Sequence, residues 1–80
     1  MATFLDVHGG YADVSPQELT AALAVDRACA EPEGVRLGRG WLDRASGLMF
    51  RVVHGPDRET ILRVQERAGH PATELVEIPQ

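Results

Sequence analysis

Two helix-type segments divide the strand-type segments of this 80-residue chain, and their positions constrain its fold more than any other feature. Ser15-Pro16-Gln17-Glu18 predicts a helix start, because serine can accept from the third helical amide, proline suits the first position and glutamate can reach back. We expect this helix to span residues 16–30. The second helix follows Gly55-Pro56-Asp57, with Gly55 or Asp57 as its cap. It ends at Ala68-Gly69, because glycine adopts the left-handed conformation readily and Pro71 prevents continuation.

Four strand-type segments lie before, between and after these helices in the sequence. They cover residues 3–8, 35–44, 48–54 and 75–78, and Ala45-Ser46-Gly47 supplies a tight turn between the second and the third. The order strand, helix, strand, strand, helix, strand is that of the ferredoxin-like fold. Right-handed crossovers place the third strand between the first and second, and the first between the third and fourth. We therefore predict a single α+β domain over residues 1–80, with a four-stranded antiparallel sheet and two helices on one face.

The other face of this sheet must contact water or another chain, since two helices cover only one face. Alternation in the first strand places Phe4, Asp6 and His8 on one side, and Leu5 and Val7 on the other. We expect the side with Phe4, Asp6 and His8 to be uncovered and buried by sheet-to-sheet association of two copies. A homodimer would also relieve the small core of so short a chain, which buries only about 60% of its unfolded surface.

Charge and composition argue against several classes of partner. The chain has 8 basic and 12 acidic side chains and a net charge of -4, so it lacks the basic patch typical of nucleic-acid or anionic-membrane binding. No segment approaches the roughly 18 consecutive apolar residues of a membrane helix. Cys29 is the only cysteine, and the start Met1-Ala2-Thr3-Phe4 does not resemble a secretion leader. We therefore expect a protein of the reducing cytoplasm.

Two histidines are expected at one corner of the sheet. His8 ends the first strand and His70 immediately precedes the fourth, and the predicted topology brings these points to the same end. Two imidazoles there could bind a divalent transition metal. Water or a carboxylate would complete the ligand set, from Asp6, Asp26 or Glu66. The competing interpretation is structural: the His70 ring caps carbonyls of the preceding helix and His8 forms an interface hydrogen bond. His54 belongs at the opposite end of the sheet.

A second hypothesis is a small enzyme that uses a cavity between the two sheets of the dimer. Asp6 could then act as a general base, and Arg39 or Arg51 could hold an anionic substrate. A cleft lined by Trp41, Phe50, Arg51 and Asp6 would support this hypothesis. Charges on a half-covered sheet more often pair structurally, and aromatic residues in strands are usually core or interface anchors. A structural or partner-binding module is therefore the third hypothesis.

Several motifs of this chain occur together in one known family. They are Phe4-Leu5-Asp6-Val7-His8, Ser15-Pro16-Gln17-Glu18-Leu19, Ala21-Ala22, Asp26, Gly34-Val35, Trp41, Ser46-Gly47, Phe50, Glu66-Arg67-Ala68-Gly69-His70-Pro71 and the segment 74–78. On these motifs the chain resembles the small nickel-binding ferredoxin-like proteins of bacteria. The resemblance implies a dimeric α+β barrel and, in some members, bound nickel.

Three positions depart from that family's pattern where metal ligands are expected. Relatives often have histidine where this chain has Leu23, cysteine where it has Arg51 and histidine where it has Gln65. Each change removes a donor, and divalent nickel prefers several imidazole and oxygen ligands. The resemblance therefore implies a weakened or altered nickel site at His8 and His70, which would buffer or sense the metal. The lost donors favour the enzyme hypothesis, since other dimeric α+β barrels oxygenate, isomerise or cyclise small organic molecules in such cavities.

Overall fold

A four-stranded antiparallel sheet with two helices on one face makes up the computed structural model, which describes residues 1–79. Its elements are β1 Ala2–His8, α1 Pro16–Ala30, a short 3-10 helix Glu31–Glu33, β2 Arg36–Asp43, β3 Leu48–Gly55, α2 Arg58–Ala68 and β4 Glu74–Ile78. The strand order across the sheet is β2-β3-β1-β4. This is the predicted ferredoxin-like α+β fold, with the predicted crossovers.

Both helices begin where the sequence signals them. The Ser15 hydroxyl accepts from the Glu18 amide at 3.1 Å and the Glu18 carboxylate accepts from the Ser15 amide at 2.9 Å, which completes a capping box. Asp57, not Gly55, caps α2 by accepting from the Thr60 amide at 2.8 Å, and hydrogen bonds from Thr60 lower the pKa of Asp57. Gly69 ends α2 with φ of 77°. Within residues 1–79, neither helix is long and apolar enough to cross a membrane.

The hydrophobic core lies between the sheet and the two helices. Its buried members come from both layers: Phe4, Ala30, Val35, Val53, Ile61, Val64 and Leu75. The end of β3 approaches α2 closely, because a Cβ placed on Gly55 would lie 2.9 Å from Cγ1 of Ile61. Glycine at this position therefore allows the helix to sit directly on the sheet.

The side of β1 that meets the helices is the opposite of the predicted one. Phe4, Asp6 and His8 are buried on the helix-covered side, so the expectation that they lie on the uncovered face is wrong. Both sides of β1 carry apolar residues, and alternation alone therefore does not distinguish them. The helices supply polar partners for Asp6 inside the domain, namely Gln65 directly and Asp26 through a shared arginine.

The uncovered face of the sheet, which we call the open face, is rich in apolar side chains. Cross-strand pairing places Trp41 of β2 beside Phe50 of β3, and their rings stack with centroids 5.7 Å apart. Leu5 of β1 pairs with Val76 of β4 on the same face. Trp41 is 52% exposed and Val76 is 46% exposed. Apolar surface spread over four neighbouring strands is a typical mark of an interaction surface.

Candidate functional site

A cluster of charged side chains lies buried between the sheet and the helices, with Arg51 at its centre. The Arg51 guanidinium donates from Nη2 to Oδ2 of Asp6 at 3.1 Å and from Nη1 to Oδ2 of Asp26 at 3.0 Å. Asp6, Asp26 and Arg51 are 0%, 4% and 4% exposed. Two carboxylates thus share one guanidinium in an environment where an unpaired charge is costly.

Strand register and helix phase bring these three groups together. Asp6 of β1 pairs directly with Arg51 of β3, so their side chains emerge on the same face of the sheet. Asp26 lies four residues before the buried Ala30 and therefore shares the inner face of α1. The cluster is thus fixed by regular elements on three sides.

In the part of the chain that the structure describes, only one of the two carboxylate oxygens of Asp6 accepts hydrogen bonds. Its Oδ2 accepts from Arg51 and also from Nε2 of Gln65 at 2.9 Å. Nε2 of His8 lies 3.3 Å from the same oxygen, but without the alignment of a hydrogen bond. Within residues 1–79, Asp6 Oδ1, His8 Nε2, Arg51 Nε and Gln65 Oε1 are buried without a hydrogen-bond partner. A buried polar atom that stays without a partner costs roughly 1–3 kcal/mol, so a group that bound these atoms would be favoured.

His70 enters the cluster from the end of α2. Its Nδ1 lies 2.7 Å from Oδ1 of Asp26, and its side chain is 28% exposed, so the ring reaches from the cluster to the surface. The His70 backbone amide donates to the carbonyl of Gln65 at 3.0 Å. His70 therefore caps the helix through its backbone, whereas its ring binds a carboxylate.

Tyr11 borders the cluster from the loop after β1. Its ring meets that of His8 edge-on at a centroid distance of 6.4 Å. Burial raises the pKa of Tyr11 above its ordinary value of 10.0, the Asp26 carboxylate adds to the rise, Arg51 opposes it and Asp6 adds to it. Sequence reasoning missed Tyr11, which lies in a loop with no periodic pattern. The phenol is near enough to respond to the charge of the cluster.

From the sequence, Gln65 was noted only as the position where relatives often have histidine, a possible metal donor. A signal for its burial exists, because it follows the core residue Ile61 by four positions and so shares the inner face of α2. The neighbouring Glu66 is exposed. Gln65 is therefore the position through which α2 reaches Asp6, and a ligand role for Glu66 remains a prediction.

The structure places His8 and His70 in one network, linked through Asp6, Arg51 and Asp26. In residues 1–79 no three or more histidine, cysteine, aspartate and glutamate side chains converge as a ready metal site. A shared metal at His8 and His70 therefore remains a prediction.

The third histidine lies at the other end of the sheet. His54 Nδ1 is 3.1 Å from the Thr3 hydroxyl at the start of β1. As expected from the topology, His54 is remote from the end of β1 where His8 lies. It provides an internal control for experiments on the other two imidazoles.

A cavity of about 170 Å³ lies between α1 and β2. Most of its lining is apolar, and Trp41 and Arg51 contribute to it whereas Phe50 and Asp6 do not. The cleft of four residues expected for a small enzyme is therefore not formed by residues 1–79 of one chain. Arg39, the other residue considered for holding an anion, is exposed on β2. The enzyme hypothesis therefore stays a prediction.

The donor chemistry of the cluster fits a divalent transition metal in part. Nickel favours imidazole nitrogen and carboxylate oxygen, and His8 Nε2 and Asp6 Oδ1 are unpartnered atoms of these two kinds. The formal charges are one positive for Arg51 and one negative each for Asp6 and Asp26. The sum is one excess negative charge, which favours a cation. The obstacle is Arg51, which already bridges the two carboxylates.

Comparison with known proteins identifies a family and a similar structure. A family model described as nickel responsive protein SCO4226-like matches residues 4–78. The crystal structure of SCO4226 from Streptomyces coelicolor A3(2) is similar, with a TM-score of 0.91 and 39% sequence identity over 99% of this chain and 98% of that chain. No curated protein matches the sequence. The family resemblance and the α+β fold expected from the sequence are confirmed.

Proposed function

Because the chain belongs to the nickel-responsive SCO4226-like family, we propose that it binds a divalent transition metal, nickel first, through the buried cluster at His8 and His70. One observation carries this proposal: an imidazole nitrogen of His8 and a carboxylate oxygen of Asp6 are both buried without hydrogen-bond partners. Unpartnered donors of these types are costly unless something binds them. The expected role is to buffer or sense the metal.

The other residues of the cluster orient these donors. Gln65 holds Oδ2 of Asp6 and leaves Oδ1 free. Asp26 holds Nδ1 of His70, and a carboxylate at one ring nitrogen fixes the ring and favours binding through the other. His70, partly exposed, would receive the metal from solvent and His8 would hold it inside. Nickel would be the signal or the cargo of the protein, and the residues of the cluster would bind it.

We also propose that two copies associate through their open faces to form a homodimer. The apolar surface around Trp41, Phe50 and Val76 supports this assembly, since its burial would be favourable by roughly 25 cal/mol per Å². A dimer would relieve the marginal core of an 80-residue domain. We place the protein in the cytoplasm, because its lone cysteine, Cys29, suits a reducing compartment.

Calorimetric titration of the metal-stripped protein with nickel tests the metal proposal. We expect stoichiometric binding by the wild type and loss of binding in His8→Ala and His70→Ala, with circular dichroism unchanged. His54→Ala is the matched control, because it removes an imidazole at the other end of the sheet. Undiminished affinity in His8→Ala or His70→Ala would remove that residue from the site. Absence of binding by the folded wild type would refute the proposal.

Light scattering on two valine variants tests the dimer. Val76 and Val25 are both 46% exposed, but Val76 lies on the open face and Val25 lies on α1. Val76→Asp should yield a monomer, because it buries a charge in the proposed interface. Val25→Asp should leave the dimer intact. A wild-type monomer, or equal masses for both variants, would contradict open-face association.

A further inference from the structure

We propose that the Arg51 guanidinium is a built-in cation that competes with a divalent metal for Asp6 and Asp26, so that this side chain sets the metal affinity of the cluster. The inference builds on the proposed metal function and goes beyond it, because it assigns the limiting role to a residue that is not itself a ligand. It also explains why a donor-rich cluster does not form a ready metal site within residues 1–79.

The geometry places the guanidinium where a metal would need to be. Its two terminal nitrogens bind Oδ2 of Asp6 and Oδ2 of Asp26 at 3.1 Å and 3.0 Å, so the positive charge lies between the carboxylates. Repulsion between a divalent ion and a guanidinium a few ångströms away is strong inside a protein, where screening is weak. A metal bound by either carboxylate must therefore displace Arg51 or bind weakly beside it.

The surroundings of Arg51 make its displacement unfavourable. The side chain borders the 170 Å³ cavity between α1 and β2, which gives the guanidinium space to move. That cavity is lined mainly by apolar side chains such as Leu19 and Leu23, and its one other charged residue is Arg27. A guanidinium transferred there would lose two carboxylates and approach a like charge. The sign of the effect follows: Arg51 lowers metal affinity.

Arg51→Met tests this inference, because methionine keeps part of the aliphatic stem and removes the charge. We expect nickel to bind the variant at least about tenfold more tightly than the wild type, since the repulsion and the competing cation are both removed. Without metal the variant should be less stable, because Asp6 and Asp26 lose their shared counterion. Nickel should then raise its melting temperature more than that of the wild type. Arg39→Met is the matched control, since Arg39 is exposed on β2 and the change in net charge is the same.

Two further variants test whether the gain in affinity arises at the cluster. A refolding test covers the case in which Arg51→Met does not fold without metal. Asp26→Asn combined with Arg51→Met should abolish the gain in affinity, because a neutral amide replaces the released carboxylate. Arg51→Gln retains an amide donor and should bind nickel with an affinity between those of the wild type and Arg51→Met. Should Arg51→Met unfold without metal, refolding on addition of nickel supports the inference and failure to refold in nickel overturns it.

The outcomes separate this inference from the proposed function. Tighter binding by Arg51→Met with an unchanged Arg39→Met supports the competing role of Arg51. Binding by the wild type with equal or weaker binding by Arg51→Met overturns that role and leaves the metal function standing. Binding by Arg51→Met alone supports the role of Arg51 and refutes metal binding by the natural protein. Absence of binding by both proteins overturns both ideas.

Discussion

Neutralising Asp26 is the most direct test of whether the buried cluster stabilises the fold. Asp26→Asn keeps the size of the side chain but replaces one carboxylate oxygen with an amide nitrogen. Asp26 now accepts from Arg51 through Oδ2 and contacts His70 through Oδ1. Asparagine has one acceptor oxygen, so it can accept from only one of these two groups, and its contacts lose the contribution of the carboxylate charge.

The expected loss of stability follows from burial and geometry. A hydrogen bond to a charged group contributes roughly 1.5–3 kcal/mol, and Arg51 retains Asp6 as a second partner, so we expect Asp26→Asn to cost about 2–3 kcal/mol. A domain of this size has a total unfolding free energy of roughly 4–12 kcal/mol. The melting temperature should therefore fall by roughly 10–20 °C.

Glu33→Gln provides a control matched in chemistry but not in burial. Glu33 also contacts two cations, Arg63 at 2.9 Å and Arg67 at 3.4 Å, yet those side chains are 55% and 61% exposed. Solvent screens such pairs, so neutralising Glu33 should have little measurable effect. Urea unfolding followed by circular dichroism, with unchanged m-values, gives the comparison. Equal losses in Asp26→Asn and Glu33→Gln would refute the argument that burial decides the magnitude.

Two further predictions follow from the loop after β1 and from the end of β3. Tyr11 is the single tyrosine, so ultraviolet absorbance reports its titration, and we expect its midpoint above pH 10.0 in the folded protein and nearer pH 10.0 in urea. Because the pKa is higher in the folded state, the contribution of Tyr11 to the free energy of unfolding should be constant below pH 10.0. It should fall as pH rises from there through the folded pKa. A folded midpoint no higher than the unfolded one would contradict this. Gly55→Ala should cost about 1–3 kcal/mol in urea unfolding, because its Cβ would lie 2.9 Å from Ile61 Cγ1. Gly9→Ala, whose Cβ would meet only ordinary contacts at 3.6 Å or more, should be tolerated, and equal costs would show that the clash is relieved.

The order and bounds of the elements were predictable because each has a local chemical signal. The capping box at Ser15 and Glu18 predicted the start of α1 at the residue where it is found. The glycine at position 69 predicted the end of α2, and its φ of 77° shows why glycine is needed there. Such signals act within a few residues and do not depend on tertiary structure.

The interior of the site was predictable only in part, because it depends on contacts between distant elements. The sequence identified His8, His70, Asp6 and Asp26, all of which join the cluster. It did not identify the face of Arg51, since β3 carries apolar residues on both sides and alternation does not distinguish them. The same ambiguity in β1 led to the wrong face for Asp6.

The cluster also has a consequence for the kinetics of folding. Its hydrogen bonds join positions that are 25, 44, 45 and 59 residues apart in the chain. Closing such long loops is slow, and the charges lose their water only when both helices and the central strands have assembled. We therefore expect the network to form after the folding transition state. Loss of the network in a variant should appear mainly as faster unfolding. We therefore expect these buried charges to slow the unfolding of the native state.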